Sequence, residues 1–414
     1  MVKTILKLSS SNVLAQALPF LITPIVTRIY SPESFGSFSL LVSIVAISSI
    51  VATMRYELAV VISEISHVKY LLALNFGTSL IVSLLSGIFL FAFARFYSNF
   101  INDSAIYFLV PLGIFVTGAS SSLTYLLTRF SKFNVLGCGS ILRSVTYCFF
   151  QLSLFLLFSQ TVSLIASWVL SSLCMLLYMV FSSRSLLAHA DLTREWSVKE
   201  LASVAVEYSN YPKFSMPASL LGAVNSQFNI VAISMFYAKD ILGCYVLIER
   251  ILAAPISIVG NAVGQVYYSL ISTKSPEEIL KVYKLISLKM SCLASLFFIF
   301  IYFGLTNYVV GIFGYSWSYT SILIKIFAAQ FSVQLVVSPL LMTLQRFKLN
   351  KIEFAFQVVN SSFYVLVYCL GNILGFEREV VFGLIAAAIT VSYSSMFLFM
   401  MKFLSNESRK AEFK

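Results

Sequence analysis

The 414-residue chain is 59% hydrophobic and only 11% charged, against about 45–50% apolar and about 25% charged for a soluble globular domain. That excludes a soluble enzyme or binding module, and at about 20 residues per crossing of a ~30 Å hydrocarbon layer the apolar stock suffices for roughly a dozen helices. The excess of 28 Lys+Arg over 17 Asp+Glu, net +11, would suggest nucleic acid in a soluble protein; in a multispanning one it can record orientation, and where the positives fall decides.

Apolar runs between charges predict helices over 8-29, 35-54, 70-94, 104-128, 140-158 and 162-183 in the first half. The second half predicts 213-237, 241-270, 285-311, 318-345, 351-374 and 380-402. The expected fold is an all-α, multi-pass integral membrane protein. Its twelve transmembrane helices form two six-helix bundles, 1-183 and 213-414, joined by a cytoplasmic linker over 184-212. An even number of spans puts both termini on one side. Of the 28 Lys+Arg, 22 fall in one set of alternate loops, Arg143 among them, and Arg28, Arg95, Lys239 and Arg378 in the other; Arg250 and Lys325 lie inside spans. By the positive-inside rule the termini are cytoplasmic. One missed span would invert every later loop and scramble this bias. The charge is thus mostly topology, and no nucleic acid is expected as a partner.

Met1 to Lys7 followed by an apolar run mimics a signal peptide, with Ala15-Gln16-Ala17 as a small-residue cleavage site. The stretch before that site is Ser/Asn-laden, and the apolar run continues to Thr27. An uncleaved first helix is expected. Cys138, Cys148, Cys174, Cys244, Cys292 and Cys369 show no metal-ligand spacing, and His67 and His189 fall in predicted cytoplasmic loops. No catalytic or metal constellation can be assembled from these parts, and neither an enzyme nor a cofactor is expected.

A shift of 207 residues aligns Tyr30, Glu33, Phe35, Gly36, Phe38 and Leu40 with Tyr237, Asp240, Leu242, Gly243, Tyr245 and Leu247 without a gap. Both copies occupy the outer turn between the first two helices of a half. Six spans separate them, so the halves share an orientation. Parallel repeats of this kind build transporters with a substrate cavity at the bundle interface, worked by rocking of the halves. Chance similarity of two helical hairpins is the alternative.

The stretch from Pro19 to Ser63, PFLITPIVTRIYSPESFGSFSLLVSIVAISSIVATMRYELAVVIS, resembles the amino-terminal signature of bacterial polysaccharide repeat-unit flippases of the Wzx type. YPKFSMPASL from Tyr211, and ERILAAPISIVGNAVGQVYY ending at Tyr268, resemble the same family at its seventh and eighth helices. The resemblance implies membership of the multidrug/oligosaccharidyl-lipid/polysaccharide (MOP) exporter superfamily. It implies an undecaprenyl-diphosphate-linked oligosaccharide, such as an O-antigen repeat unit of lipopolysaccharide, carried across the bacterial cytoplasmic (inner) membrane. Implied partners are that lipid-linked glycan, membrane lipid, and the polymerase and chain-length proteins of the same pathway.

Such a substrate brings a diphosphate to be neutralised and sugar hydroxyls that each cost about 2–7 kcal/mol if left unpaired in hydrocarbon. Charged groups inside spans are functional candidates by default. Arg250, about nine residues or 14 Å into the eighth helix, suits the diphosphate, to which a planar guanidinium fork is matched; a structural ion pair is the bland reading. Lys325 is read either as a second cavity cation or as the partner of Glu249. Unpaired, Glu249 is a coupling candidate; so is Glu57. Arg28 and Arg55 lie at the two mouths of the path, and resemblance to the peptidoglycan-precursor flippases, which place arginines of their first, second and eighth helices in a central cavity, makes Arg28, Arg55 and Arg250 a set; interfacial anchoring is the alternative. Asn225, Gln227 and Asn229, Asn261 and Gln265, and Gln330 and Gln334 suit sugar hydroxyls, the last two pairs sharing a helix face at i,i+4, with interhelical packing as the alternative. Pro19, Pro24, Pro217 and Pro255 are expected hinges. Ser197 to Glu200 reads as a capping box opening a short amphipathic linker helix.

A drug/cation antiporter of the MATE kind is the near rival, and would want more membrane carboxylates than Glu249 supplies. A membrane polymerase or glycosyltransferase would want a sizeable outer loop, whereas that at 159-161 is uncharged. A membrane scaffold would not need Arg250 or the repeat.

Overall fold

The computed structural model describes residues 2–96, 103–189 and 197–412, and these are helical throughout, without a strand. Among the described residues, twelve helices are long and apolar enough to cross a membrane: Ser11–Ile29, Pro32–Thr53, Ile65–Ala92, Ile106–Arg129, Phe133–Leu156, Gln160–Arg184, Tyr211–Phe236, Lys239–Ile271, Pro276–Phe313, Tyr315–Arg346, Lys351–Ile373 and Arg378–Lys410. Each corresponds to one expected span, and they are called spans 1 to 12 below. In hydrocarbon a segment of this length satisfies its backbone only within itself, which is why apolar runs translate directly into helices.

The departures lie at the ends. Span 9 begins at Pro276, where Ser275 and Glu278 complete a capping box, nine residues before the expected start. Span 3 begins at Ile65 and takes His67 into its first turn, not a loop. Span 5 begins at Phe133, not residue 140. Asn134, Gly137 and Gly139 dilute the hydropathy there. The helix continues because Gly139 faces span 6, where an added Cβ would already be in van der Waals contact with Met175, Tyr178 and Met179 at 3.6–3.7 Å. Arg143 therefore sits well inside a span, not in an inner loop.

Two compact units divide the chain, Met1–Val231 and Ala232–Lys414. In the first, Val60, Leu71, Ala119, Leu123 and Met179 pack as one cluster and Val45, Val110, Ile114, Ile165 and Val169 as another. Small residues let these helices approach closely, as expected where lipid offers no hydrophobic drive between helices. A Cβ on Gly118 would collide with the Ser79 hydroxyl, which donates to Ala52 O across 3.3 Å. In the second unit Tyr267, Tyr283, Leu340, Met400 and Leu404 form the core, with the Tyr267 and Thr343 hydroxyls 2.7 Å apart. The unit boundary falls inside span 7 because Ser219 and Gln227 are bonded to span 2.

The two turns aligned by the 207-residue shift have the same local build. Ser31 and Ala238 are extended N-caps (ψ 156° and 154°) opening spans 2 and 8, and Phe35, Gly36, Leu242 and Gly243 are all buried. Tyr30 bonds Gln151 O of span 5 at 2.7 Å, while Tyr237 packs on Tyr368 and Phe382 of spans 11 and 12.

Part of the linker, residues 190–196, lies outside the described residues; Val198–Glu207 forms the expected short helix. Ser197 caps it by accepting from the Glu200 N–H, but the reciprocal half of the box is absent. The Glu200 carboxylate instead receives the Tyr70 hydroxyl of span 3. Val204, 2% exposed, and the bond from Tyr56 Oη to Ala205 O (3.1 Å) complete the docking onto unit 1.

Candidate functional site

Span 1 is interrupted at Ile22, between the helices Val2–Leu21 and Thr23–Ile29. Pro24 has no N–H to continue the ladder, and beside it the Thr23 hydroxyl donates to the Pro19 carbonyl at 2.8 Å. Both expected hinge prolines thus flank a real break. Arg28 is exposed in the last turn beyond it, where a cation is favoured by the helix dipole.

Span 2 breaks without proline or glycine. Its main helix ends at Thr53; Met54 (φ 48°) and Arg55 (φ 63°) are both left-handed, and a second short helix runs Tyr56–Ile62. Such conformations cost about 1–3 kcal/mol each in non-glycine residues and concentrate where function holds them. Here the turn brings three groups together. Arg55 Nε donates to Ser219 Oγ of span 7 at 2.8 Å and Nη1 to Glu57 Oε1 at 3.1 Å. The Glu57 side chain is 1% exposed and that of Arg55 26%, and Glu57 Oε2 has no hydrogen-bond partner among the described residues. Higher in the same unit Gln227 Oε1 accepts from Ser43 Oγ at 2.7 Å, while Asn225 and Asn229 of span 7 are half-buried. The first unit therefore joins Arg55, Glu57 and Gln227, with Ser43 and Ser219, along spans 2 and 7.

In the second unit span 8 carries a π-helical turn, Glu249–Ala253, just before Pro255. A π-turn is how a helix absorbs the carbonyl that proline leaves unpaired, and such turns recur at functional sites. Arg250 lies in it, half-buried. Glu249 is hydrogen-bonded to the Tyr245 hydroxyl one turn earlier. The Lys325 pairing is not formed: Lys325 is exposed on span 10, with no carboxylate within 4.0 Å among the described residues. Gly260 and Gly264 set span 8 against Ser338 and Pro339 of span 10, with an added Cβ at 3.6 and 3.5 Å. The neighbouring Asn261 and Gln265 are exposed together. Gln330 is 7% exposed inside span 10, and Gln334, one turn on, is half-buried. Pro217 follows another π-turn, Tyr211–Ser215, at the start of span 7.

Arg143 was missed from the sequence as a membrane group. It stands ten residues into the helix Phe133–Ser153, about 15 Å along its axis, and its guanidinium lies 5.6 Å from the Trp168 ring centre in span 6. The signal that would have found it is the apolar run resuming on both sides of Gly137-Cys138-Gly139.

The family profile described as polysaccharide biosynthesis protein matches residues 25–322, a range holding the breaks of span 2, the span 7 amides and the span 8 π-turn. The chain belongs to the polysaccharide biosynthesis protein family. No curated protein is similar enough in sequence to match it. Among solved structures, this polysaccharide biosynthesis protein resembles the lipid II flippase MurJ in an inward-closed conformation (TM-score 0.69, 13% identity, covering 97% of this chain and 88% of MurJ). It also resembles an inward-facing multidrug-resistance MATE family transporter of the MOP superfamily (0.65, 12%, 96% of each chain). A third is a Pyrococcus furiosus MOP superfamily transporter, described as having a binding pocket of reversed polarity that suggests a different function (0.59, 12%, 98% and 96%). At these identities the likeness establishes the MATE/MurJ-like fold.

Proposed function

We propose that this polysaccharide biosynthesis protein is a flippase for undecaprenyl-diphosphate-linked oligosaccharide repeat units, carrying them from the cytoplasmic to the periplasmic leaflet by alternating access. The observation that carries the reading is the excess of cations over carboxylates deep in the spans. Ten or more residues from either end of a span lie Arg143, Arg250, Lys289 and Lys325 against Glu249 alone among the described residues. Glu249 is engaged by Tyr245, and Glu57, at the turn after Thr53, by Arg55. Burying guanidinium is costly, and the group is matched to phosphate oxygens in a bidentate fork. A drug/cation antiporter of the same fold would need carboxylates facing its substrate.

Arg28, Arg55 and Arg250 pass the diphosphate along the path, with Lys325 as a further cation. The amides Asn225, Gln227, Asn261, Gln265, Gln330 and Gln334 take hydroxyls of the sugars. The broken helices at Pro19 and Pro24, at Pro217 and at Pro255 supply the bending, with two six-helix halves, 1-183 and 213-414, as the rocking elements and cytoplasmic termini. Glu57 and Glu249 are the groups available for coupling.

Deleting the gene is expected to accumulate lipid-linked repeat units on the cytoplasmic leaflet and remove the surface glycan. Arg250→Ala and Arg28→Ala, present in the membrane at normal level, should fail to restore it. Full surface glycan from both variants refutes the cationic mechanism.

A further inference from the structure

Within unit 2, spans 9 and 10 part at mid-length around a groove of about 440 Å³, inside the range of about 300–1,000 Å³ that ligand sites occupy. Its walls include Ala294, Ser295 and Phe298 of span 9 and Ala329, Ser332 and Val336 of span 10. Most of these side chains are small, yet the two helices do not close on them as spans 3 and 4 do in unit 1. There a Cβ on Gly118 would collide with Ser79, one on Gly87 would sit 3.2 Å from Pro111 Cγ, and Ser83 Oγ donates to Pro111 O at 2.7 Å. The serines do not make the groove polar. Ser295 Oγ donates to Ser291 O at 2.9 Å and Ser332 Oγ to Ala328 O at 2.8 Å, each within its own helix. Phe298 stacks on Tyr302 one turn further along (centroids 5.4 Å apart, planes at 19°) and forms one end of the groove. Just past the last groove residue of span 9, Ile299, the helix makes a π-turn, Phe300–Leu305, with no proline to explain it; such turns recur at functional sites.

The other end is cationic. Lys284, Ser291 and Phe298 follow at seven-residue spacing, about two helical turns each, and so share one face of span 9. Lys284, Leu288 and Ser291 are exposed along it, and so is Ala329 across the groove. Lys274 and Lys281 are engaged by Glu278 and Glu277 at 3.6 and 2.6 Å, whereas no carboxylate lies within 4.0 Å of Lys284 among the described residues. From Lys284 to Phe298 is about 21 Å of helix. One leaflet of a ~30 Å hydrocarbon layer is about 15 Å deep, and a lysine snorkelling toward the headgroups covers the remainder. The slot is apolar, open to lipid, one leaflet long, stopped by an aromatic pair and headed by an ammonium without a counter-charge. That matches one acyl chain hanging from one phosphate. A polyprenyl chain outruns a slot of this length, and an empty slot would forfeit the dispersion contacts of its walls.

We propose that the groove between spans 9 and 10 is a site for an anionic phospholipid of the leaflet at the Pro276 end of span 9, with an acyl chain against Ala294, Ser295, Ala329 and Ser332 and the phosphate on Lys284. The lipid is a wedge that completes the packing of unit 2 where the two helices do not meet. The site uses no residue of the diphosphate path and stands independently of the flippase reading.

The test uses the full-length protein in detergent and native mass spectrometry, with phosphatidylglycerol, phosphatidylethanolamine and undecaprenyl phosphate as probes. The wild type should hold one phosphatidylglycerol about fivefold tighter than phosphatidylethanolamine, the worth of one lysine facing an anionic headgroup. Phosphatidylglycerol carrying a photoactivatable acyl chain should label span 9 between Leu288 and Ile299 or span 10 between Ala329 and Val336. Lys284→Gln should abolish the preference and Lys284→Arg should keep it. Lys402→Gln, equally far from the end of span 12, should leave it unchanged. Ala329→Leu fills the slot and should weaken both phospholipids alike; Ala329→Val serves in its place if the leucine variant does not fold. Equal binding of the two phospholipids by the wild type overturns the proposal. So does a preference that survives in Lys284→Gln, or one that falls as far in Lys402→Gln, the mark of diffuse charge. Binding unchanged by filling the slot, or labelling confined to other spans, overturns it as well. If undecaprenyl phosphate displaces phosphatidylglycerol and is itself weakened by Ala329→Leu, the groove holds the cargo's chain and the phospholipid site is refuted.

Discussion

Replacing Arg55 by alanine would strand the Glu57 carboxylate, whose side chain is 1% exposed and whose Oε1 now lies 3.1 Å from the guanidinium. Removing one partner of a buried pair costs about 3–5 kcal/mol, because the other charge is left without compensation. With Arg55 itself 26% exposed, water reaches the vacated space and the lower end, about 3 kcal/mol, is expected. Loss of the bond to Ser219 adds about 1 kcal/mol. Each kcal/mol lowers the melting midpoint of a domain of 150–250 residues by about 2–4 °C, so unit 1 should melt about 8–16 °C lower. Adding Glu57→Gln removes the stranded charge and should return about 6–12 °C of that loss. The assay is size-exclusion chromatography of a fluorescent fusion after heating in detergent, read alongside surface glycan in cells. If the double variant melts as low as Arg55→Ala alone, the pair is not what holds the break, and the reasoning fails. The double variant should also remain inactive while folded, because the cation proposed to meet the diphosphate is gone.

Gly118→Ala would push a methyl into Ser79, 3.1 Å from its Cβ and closer still to its hydroxyl. Overpacking of this kind costs about 1–3 kcal/mol, and an unchanged melting midpoint would show that spans 3 and 4 are not in tight contact there. Tyr56→Phe deletes the bond to Ala205 O. Hydrogen exchange of the linker helix Val198–Glu207 should then speed up roughly fivefold for about 1 kcal/mol, and unchanged protection means the helix is held otherwise. For orientation, single cysteines replacing Lys239 and Lys274 in a background without the native cysteines should be labelled by an impermeant reagent from opposite sides, Lys239→Cys from outside. Labelling of both from one side refutes the cytoplasmic termini.

The sequence by itself determined the twelve spans, the turns around Tyr30 and Tyr237, and the cap at Ser197. Each is settled by hydrogen bonds and burial within a few residues. An apolar run in hydrocarbon has one way to satisfy its backbone, and a hydroxyl before a helix has an N–H to accept from three residues on. The prolines likewise announced the interruption of span 1 and the π-turn of span 8, since a missing N–H is a local fact. Only the tertiary structure decided the break at Met54 and Arg55. Nothing in Met54-Arg55-Tyr56-Glu57 breaks a helix, and the left-handed turn is held by partners as distant as Ser219, 164 residues away. The same holds for the depth of Arg143, where a helix through Gly137 and Gly139 is sustained by its fit against span 6. In each case the energy resides in a contact between helices, and a pattern read along one chain carries no record of which helix lies beside it.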